Sequence, residues 1–349
     1  MGSPIHANRS RRIENCAWDV PVLRRLGYNS VHPGRVQPVT VCVAAITENG
    51  SIIGASDRML TAGDVQFEPQ QSKIVAITRS IFAMIAGDAQ IQSEVLQRIN
   101  TEVSARLGSH PTRWLTVAEI AYAYSDAAGS IRNDRAERSV LRPLGLTYSS
   151  YISQQLQLSQ PLAKQIASEL INFQAAEISA IITGVDESGP HLFIVDYSDV
   201  KCLDRVGFAA IGAGNWHAQS QFMFEGHTPQ TPFPRALLLT YSAKKRAEVA
   251  PGVGRDTDMF CVWALGQSSD IGSHVIDRLE QIYQEMRVSE KEASRHANGR
   301  ASQFVEEIAA ATGDQEQTSP AIEAPDRALP ANAPELDTAI ENGIEQPRT

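Results

Sequence analysis

Residues 40–57 read TVCVAAITENGSIIGASD, and residues 72–88 read SKIVAITRSIFAMIAGD. In the first block an apolar run, Val41 to Ile46, meets Thr47-Glu48-Asn49-Gly50. Asn-Gly is a strong hairpin signal because both residues accept the positive φ of a type I′ turn. Ser51 to Ser56 then returns as a second strand and ends at Asp57. The second block predicts another hairpin, Lys73 to Thr78 paired with Ile81 to Ala86. It closes at Gly87-Asp88, with Asp88 placed to cap a helix. Two strand pairs thus bring a threonine, an aspartate, a lysine and a glycine turn into one short segment.

Working outward, Ile91, Val95, Leu96, Ile99, Val103 and Leu107 recur at helical spacing until Gly108 and Pro111. Thr116-Val117-Ala118-Glu119 is a capping box and opens a second helix through Ile120 and Tyr124 towards Ile131. Residues 132–175 read as an inserted helical excursion. A second strand-rich section follows, with strands at Ile178–Gly184, His191–Tyr197 and Val206–Ile211, the last ending in Gly212-Ala213-Gly214. Helices are expected from Asn215 to Phe222 and from Pro234 to Val249, then a strand from Met259 to Leu265. Strands, helix pair, strands, helix pair and strand predict an α+β fold of two stacked antiparallel sheets with helices outside. Beyond Gly266, Ile276, Leu279, Ile282, Tyr283 and Met286 mark an amphipathic helix, and Phe304, Val305 and Ile308 a further short one. The body is therefore set at 40–268, a helical extension at 269–312, and a disordered tail rich in Pro, Glu and Ala at 313–349. Residues 1–39, basic around Arg9, Arg11 and Arg12, read as a leader or propeptide.

The chain has 349 residues, of which 42% are hydrophobic, enough for one sizeable core with appendages. A formal net charge of −9 gives no support for nucleic-acid binding. No apolar run approaches a membrane span. Cys16, Cys42, Cys202 and Cys261 are scattered, which suits a reducing cytoplasm. Neither they nor the eight histidines have metal-ligand spacing, so no metal and no organic cofactor is implied. Cys42 and Cys261 fall inside apolar strands, and His217 on a helix reads as a packing residue.

In this order and register, Thr40, Asp57, Lys73 and Ala86-Gly87 resemble the β-type subunits of the proteasome and their bacterial relatives. These are N-terminal nucleophile hydrolases with a four-layer αββα sandwich. The resemblance runs to about residue 266. It implies that Thr40 is the nucleophile once residues 1–39 are removed, that Asp57 and Lys73 form its charged couple, and that the Gly87 amide helps stabilise the oxyanion. It further implies that Thr61 and Gly63 pair with substrate backbone, that Ile85 and Ala89 lie beside the specificity pocket, and that Asp256, with Asp258 as rival, supplies a further acid. Polypeptide substrates, a homo-oligomeric ring or stack, and an ATP-dependent unfoldase as candidate partner come with the family. Two positions depart from it: Val39, preceded by Pro38, stands where the family often has glycine, and Ala213 stands where it commonly has serine.

The residue types suit that chemistry. A threonine hydroxyl needs a base. A free α-amine, titrating near ~7.7–8.0, can serve, and a neighbouring lysine cation favours its neutral form. A glycine amide at a helix start can face a tetrahedral oxyanion. Which group takes the first proton is left open. Each residue alone has a blander reading. Thr40 would be an ordinary β-branched strand residue, Asp57 and Lys73 solvated strand-end charges, Gly87 a turn, Ile85 and Ala89 core. The alternative for the whole chain is a catalytically inactive structural ring subunit of the same fold. A small-amide amidohydrolase is the third reading.

Overall fold

The computed structural model describes residues 40–62, 65–67, 72–109, 114–197 and 199–316. The chain divides into two compact units, residues 1–284 and 285–349. The predicted leader, Gly63 and the tail beyond residue 316 lie outside the described residues.

The first unit is α+β, with two five-stranded antiparallel sheets. One sheet contains β1 (Cys42–Ile46), β2 (Ile52–Asp57), β10 (Phe208–Ile211), β11 (Thr257–Val262) and β12 (Ser268–Asp270), ordered β10-β1-β2-β11-β12. The other contains β5 (Ile74–Ala76), β6 (Ile81–Gly87), β7 (Ile178–Asp186), β8 (Gly189–Asp196) and β9 (Asp199–Cys202), in sequence order. A separate hairpin pairs β3 (Leu60–Ala62) with β4 (Val65–Phe67). A turn over residues 47–50 joins β1 to β2, but not in the type I′ form that Asn-Gly predicts, because Gly50 and not Asn49 takes positive φ. Gly50 has φ +73°, and Asn49 Oδ1 accepts from the Thr47 hydroxyl at 2.6 Å and the Ser51 amide at 3.2 Å.

Strand periodicity decides what each side chain meets. Cys42, Ala44 and Ile46 of β1 share a core with Phe82, Met84 and Ala86 of β6 and with Ile181, Leu192 and Phe260, so the two sheets face each other. The alternate residues Ile81 and Ala83 join a second core with helices α1 (Ala89–Ser109) and α2 (Val117–Ala136). On the first sheet, α5 (Asn215–Phe224) packs against β10, and α6 (Phe233–Ala247) against β1 and β2. Asp88 caps α1 through its Oδ1, which accepts from the Ile91 amide at 2.8 Å. Thr116 and Glu119 form the expected capping box of α2.

Helix α2 continues five residues past the predicted stretch at Ile131, to Ala136. A π-helical turn (Glu137–Leu141), a 3₁₀ turn (Arg142–Leu144), α3 (Tyr148–Gln154) and α4 (Gln160–Ile171) complete the excursion. It has a small core of its own, Val140, Leu141, Tyr151 and Ile166.

Three expectations need correcting. The body does not stop at 268, because Ser268-Ser269-Asp270 forms the edge strand β12 against β11. A polar edge strand carries no apolar alternation and reads as a loop. The two predicted C-terminal helices are one, α7 (Ser273–Glu316), which passes through Gly313. A run rich in Glu, Ala and Arg sustains helix without a continuous apolar stripe. In the second unit Phe304, Val305 and Ile308 lie exposed on that helix. His217 does not pack; it is exposed on α5. Among the described residues no helix is long and apolar enough to cross a membrane.

His227 carries a testable consequence of burial. It is 7% exposed, lies edge-on to Phe208 and Phe222, and its Nε2 is 3.1 Å from the Gly207 carbonyl. Burial lowers its pKa from the ordinary value. The unfolded chain therefore takes up this proton first as pH falls through about 6.5, and the folded state loses stability there. The urea midpoint should drop between pH 7.5 and pH 5.5, and His227→Phe should flatten that drop. An unchanged slope in the variant would contradict this assignment.

Candidate active site

Thr40 leads into β1, Asp57 ends β2, and Lys73 precedes β5 on the opposite sheet. The facing of the two sheets brings the three together. Thr40 Oγ1 donates to Asp57 Oδ1 at 2.5 Å, and Lys73 Nζ donates to the same oxygen at 2.8 Å. Lys73 Nζ also donates to Thr40 Oγ1. All three are buried, at 1%, 0% and 6% exposure. A buried carboxylate needs partners on both oxygens. Asp57 has them: the Val41 amide reaches Oδ1 at 3.0 Å, and the Met59 and Gly254 amides reach Oδ2 at 3.1 and 2.9 Å. The hydroxyl thus sits between an ammonium that donates to it and a carboxylate that accepts from it.

The turn Gly212-Ala213-Gly214 wraps the backbone of Thr40. The Gly214 amide donates to the Thr40 carbonyl at 3.3 Å. Gly212 has φ +88°, and a Cβ there would lie 2.3 Å from the Thr40 carbonyl oxygen and 2.7 Å from its Cγ2. Only glycine meets both demands. Gly145, at φ +73° with open space around it, is the control. Gly145→Ala should cost about 1–2 kcal/mol from backbone strain alone. Gly212→Ala should cost clearly more, read as a larger fall in melting temperature. Equal falls would mean that Thr40 is not held by this turn. Ala213 offers no hydroxyl to the cluster, and Asn215 Oδ1 is buried without a hydrogen-bond partner.

The other predicted positions fall as follows. Gly87 ends β6 with φ +104°, immediately before the cap of α1. The end of β6 lies beside the start of β1, because Cys42 Sγ donates to the Ile85 carbonyl at 3.5 Å. Ile85 is half-buried and packs towards the α1–α2 core, and Ala89 is exposed at the first turn of α1. Thr61 lies in β3, and Gly63 is outside the described residues. Asp256 does not join Thr40, Asp57 and Lys73. It is exposed ahead of β11 and lines a cavity of about 750 Å³ with Arg58, Ser72 and Asp258. Asp258 is engaged by Arg58, whose Nε is 2.9 Å from Oδ1. Besides Thr40 and Lys73, Asp57 is held by the Val41, Met59 and Gly254 amides, none of which the sequence singled out, and Gly254 comes from farthest along the chain. The glycines of Pro251-Gly252-Val253-Gly254 were its only signal.

Cys42 is the other nucleophilic side chain nearby. Burial pushes its thiol up to about 12, with Lys73 working against that rise and Asp57 adding to it. A thiol so placed is inert. Thiol reagents should modify exposed Cys202 and spare Cys42 and Cys261 in the folded chain.

A Ser-His-Asp arrangement lies elsewhere, on the β7–β8 hairpin. His191 Nε2 is 2.7 Å from Ser188 Oγ, and its Nδ1 is 2.8 Å from Asp204 Oδ2. The Ser188 hydroxyl also reaches Asp186 Oδ1 at 2.7 Å, and the Ser188 and Val117 amides both donate to Asp186 at 2.9 Å. Burial opposes charge on Asp186, yet these bonds and His191 hold its carboxyl below the usual value. The amides beside the hydroxyl are therefore spent on a carboxylate rather than aimed at an oxyanion. This cluster ties the hairpin to the start of α2.

Among the described residues no three metal-ligating side chains converge on one point. Compared with protein-family models and with curated proteins, the chain matches none.

Proposed function

We propose that this chain is a threonine-type peptidase of the N-terminal nucleophile class, a four-layer αββα sandwich that cleaves peptide bonds through an acyl-enzyme on Thr40. The observation that carries the reading is the Thr40 hydroxyl, held at once by the Lys73 ammonium and the Asp57 carboxylate. Two facing sheets, with α1 and α2 on one and α5 and α6 on the other, support the layered architecture.

In the proposed reaction Thr40 Oγ1 attacks the scissile carbonyl carbon and loses its proton to the freed α-amine, while the Lys73 ammonium stabilises the charge developing on Oγ1. The tetrahedral oxyanion is received by the Gly87 amide. The C–N bond breaks, the leaving amine takes a proton, and water hydrolyses the resulting ester to regenerate the hydroxyl. Unfolded polypeptides in the cytoplasm are the proposed substrates. Assembly into a ring or stack of identical copies, fed by an ATP-dependent unfoldase, is the proposed setting.

A second reading is a structural subunit of the same fold without activity. One observation favours it: Ala213 supplies no hydroxyl to the cluster. Intact mass and peptide hydrolysis of the purified chain separate the two. Loss of residues 1–39 with peptide turnover is the result expected of the peptidase. A persistent leader and no turnover support the structural subunit.

A further inference from the structure

Asp57 is the hub of the proposed site, and the Gly254 amide holds its second oxygen at 2.9 Å. Gly254 in turn needs a holder, because the loop before β11 is glycine-rich and supplies few side chains to fix it. That holder comes from α6. Lys244 Nζ donates to the Gly254 carbonyl at 3.0 Å, the Arg255 carbonyl at 2.8 Å and Glu248 Oε1 at 2.7 Å. An ammonium has three N–H donors, and all three are used. Lys244 is fully buried, with 0% exposure. Burial lowers its pKa, against an opposing pull from Glu248.

Burying an ammonium is costly, and an apolar side chain would pack the interior of α6 at less expense. An apolar side chain would, however, take its donor from the buried Gly254 carbonyl, leave the Arg255 carbonyl only the Thr257 hydroxyl at 3.3 Å, and loosen the peptide unit that follows the Gly254 amide. We infer that Lys244 is a positioning residue: through the Gly254 and Arg255 carbonyls it aims the Gly254 amide at Asp57, and so orients the carboxylate that Thr40 and Lys73 share. Its effect on turnover rests on the proposed peptidase reading, whereas its effect on Gly254 does not.

The test uses the full chain, with Lys244→Met and Lys244→Gln compared with the parent by amide hydrogen exchange and by peptide hydrolysis. In Lys244→Met, exchange at Gly254 should accelerate about tenfold or more while β1 and β2 stay protected as in the parent. For a displaced carboxylate, kcat should fall about 100-fold with KM little changed. Lys244→Gln, which keeps two N–H donors, should fall between. Should Lys244→Met fail to fold, Lys244→Gln decides by the same criteria. Parent-like exchange at Gly254 overturns the inference, with or without turnover. Acceleration spread evenly over the whole chain also overturns it, since Lys244 would then serve general stability. A parent lacking Thr40-dependent turnover refutes the peptidase reading instead, and the exchange at Gly254 still decides the role of Lys244.

Discussion

Thr40→Ala is expected to abolish peptide hydrolysis, lowering kcat by roughly 10⁴-fold or more, as removal of a covalent nucleophile does in enzymes whose groups act as a unit. The fold should survive. Removing the hydroxyl leaves the Lys73–Asp57 pair at 2.8 Å and the amides on Asp57 in place. The melting temperature should therefore move little while activity disappears. Thr40→Ser keeps a hydroxyl between the same two charges and should retain measurable turnover. Hydrolysis by Thr40→Ala at the parent rate would remove Thr40 from the chemistry.

Asp57 should show the largest effect on stability. Its carboxylate accepts from Thr40, Lys73 and the amides of Val41, Met59 and Gly254 while fully buried. Asp57→Ala strands a buried ammonium and three backbone donors together. Breaking a buried pair costs about 3–5 kcal/mol, and unsatisfied amides add to that. For a body of this size the melting temperature should fall by roughly 10 °C or more. Lys73→Met removes the cation but leaves the carboxylate its amide partners and the Thr40 hydroxyl. It should destabilise less than Asp57→Ala and yet lose hydrolysis as completely. Circular dichroism melts of the two variants check the ordering. A larger loss for Lys73→Met would mean that the amides contribute little to holding Asp57.

Much of this arrangement was legible in the sequence, for local reasons. The Asn49-Gly50 turn, the period-2 strands on either side, the Asp88 cap and the Thr116–Glu119 box are each set within a few residues. They fixed the order of elements and hence which chain ends meet. The meeting of Lys73 with Thr40 and Asp57 was expected only from the resemblance to proteasome β-type subunits, not from any local pattern. What the sequence hid was carried by groups whose type says little. Gln92 sits among the apolar positions of α1, where its side-chain amide donates to the Ala86 and Ser179 carbonyls at 2.8 and 3.0 Å. Lys244, in the run Lys244-Lys245-Arg246, reads as one more solvated charge, and only the fold shows that its three donors are spoken for. Asp256 went the other way: an acid at a plausible spacing turned outward, and a glycine amide took the place beside Asp57.

The most direct test is to treat the purified full chain with an electrophile directed at N-terminal threonine and map the adduct by tandem mass spectrometry. The account predicts one adduct, on a mature chain that begins at Thr40, and none in Thr40→Ala. An unmodified Thr40 on a chain that still carries residues 1–39 would contradict it.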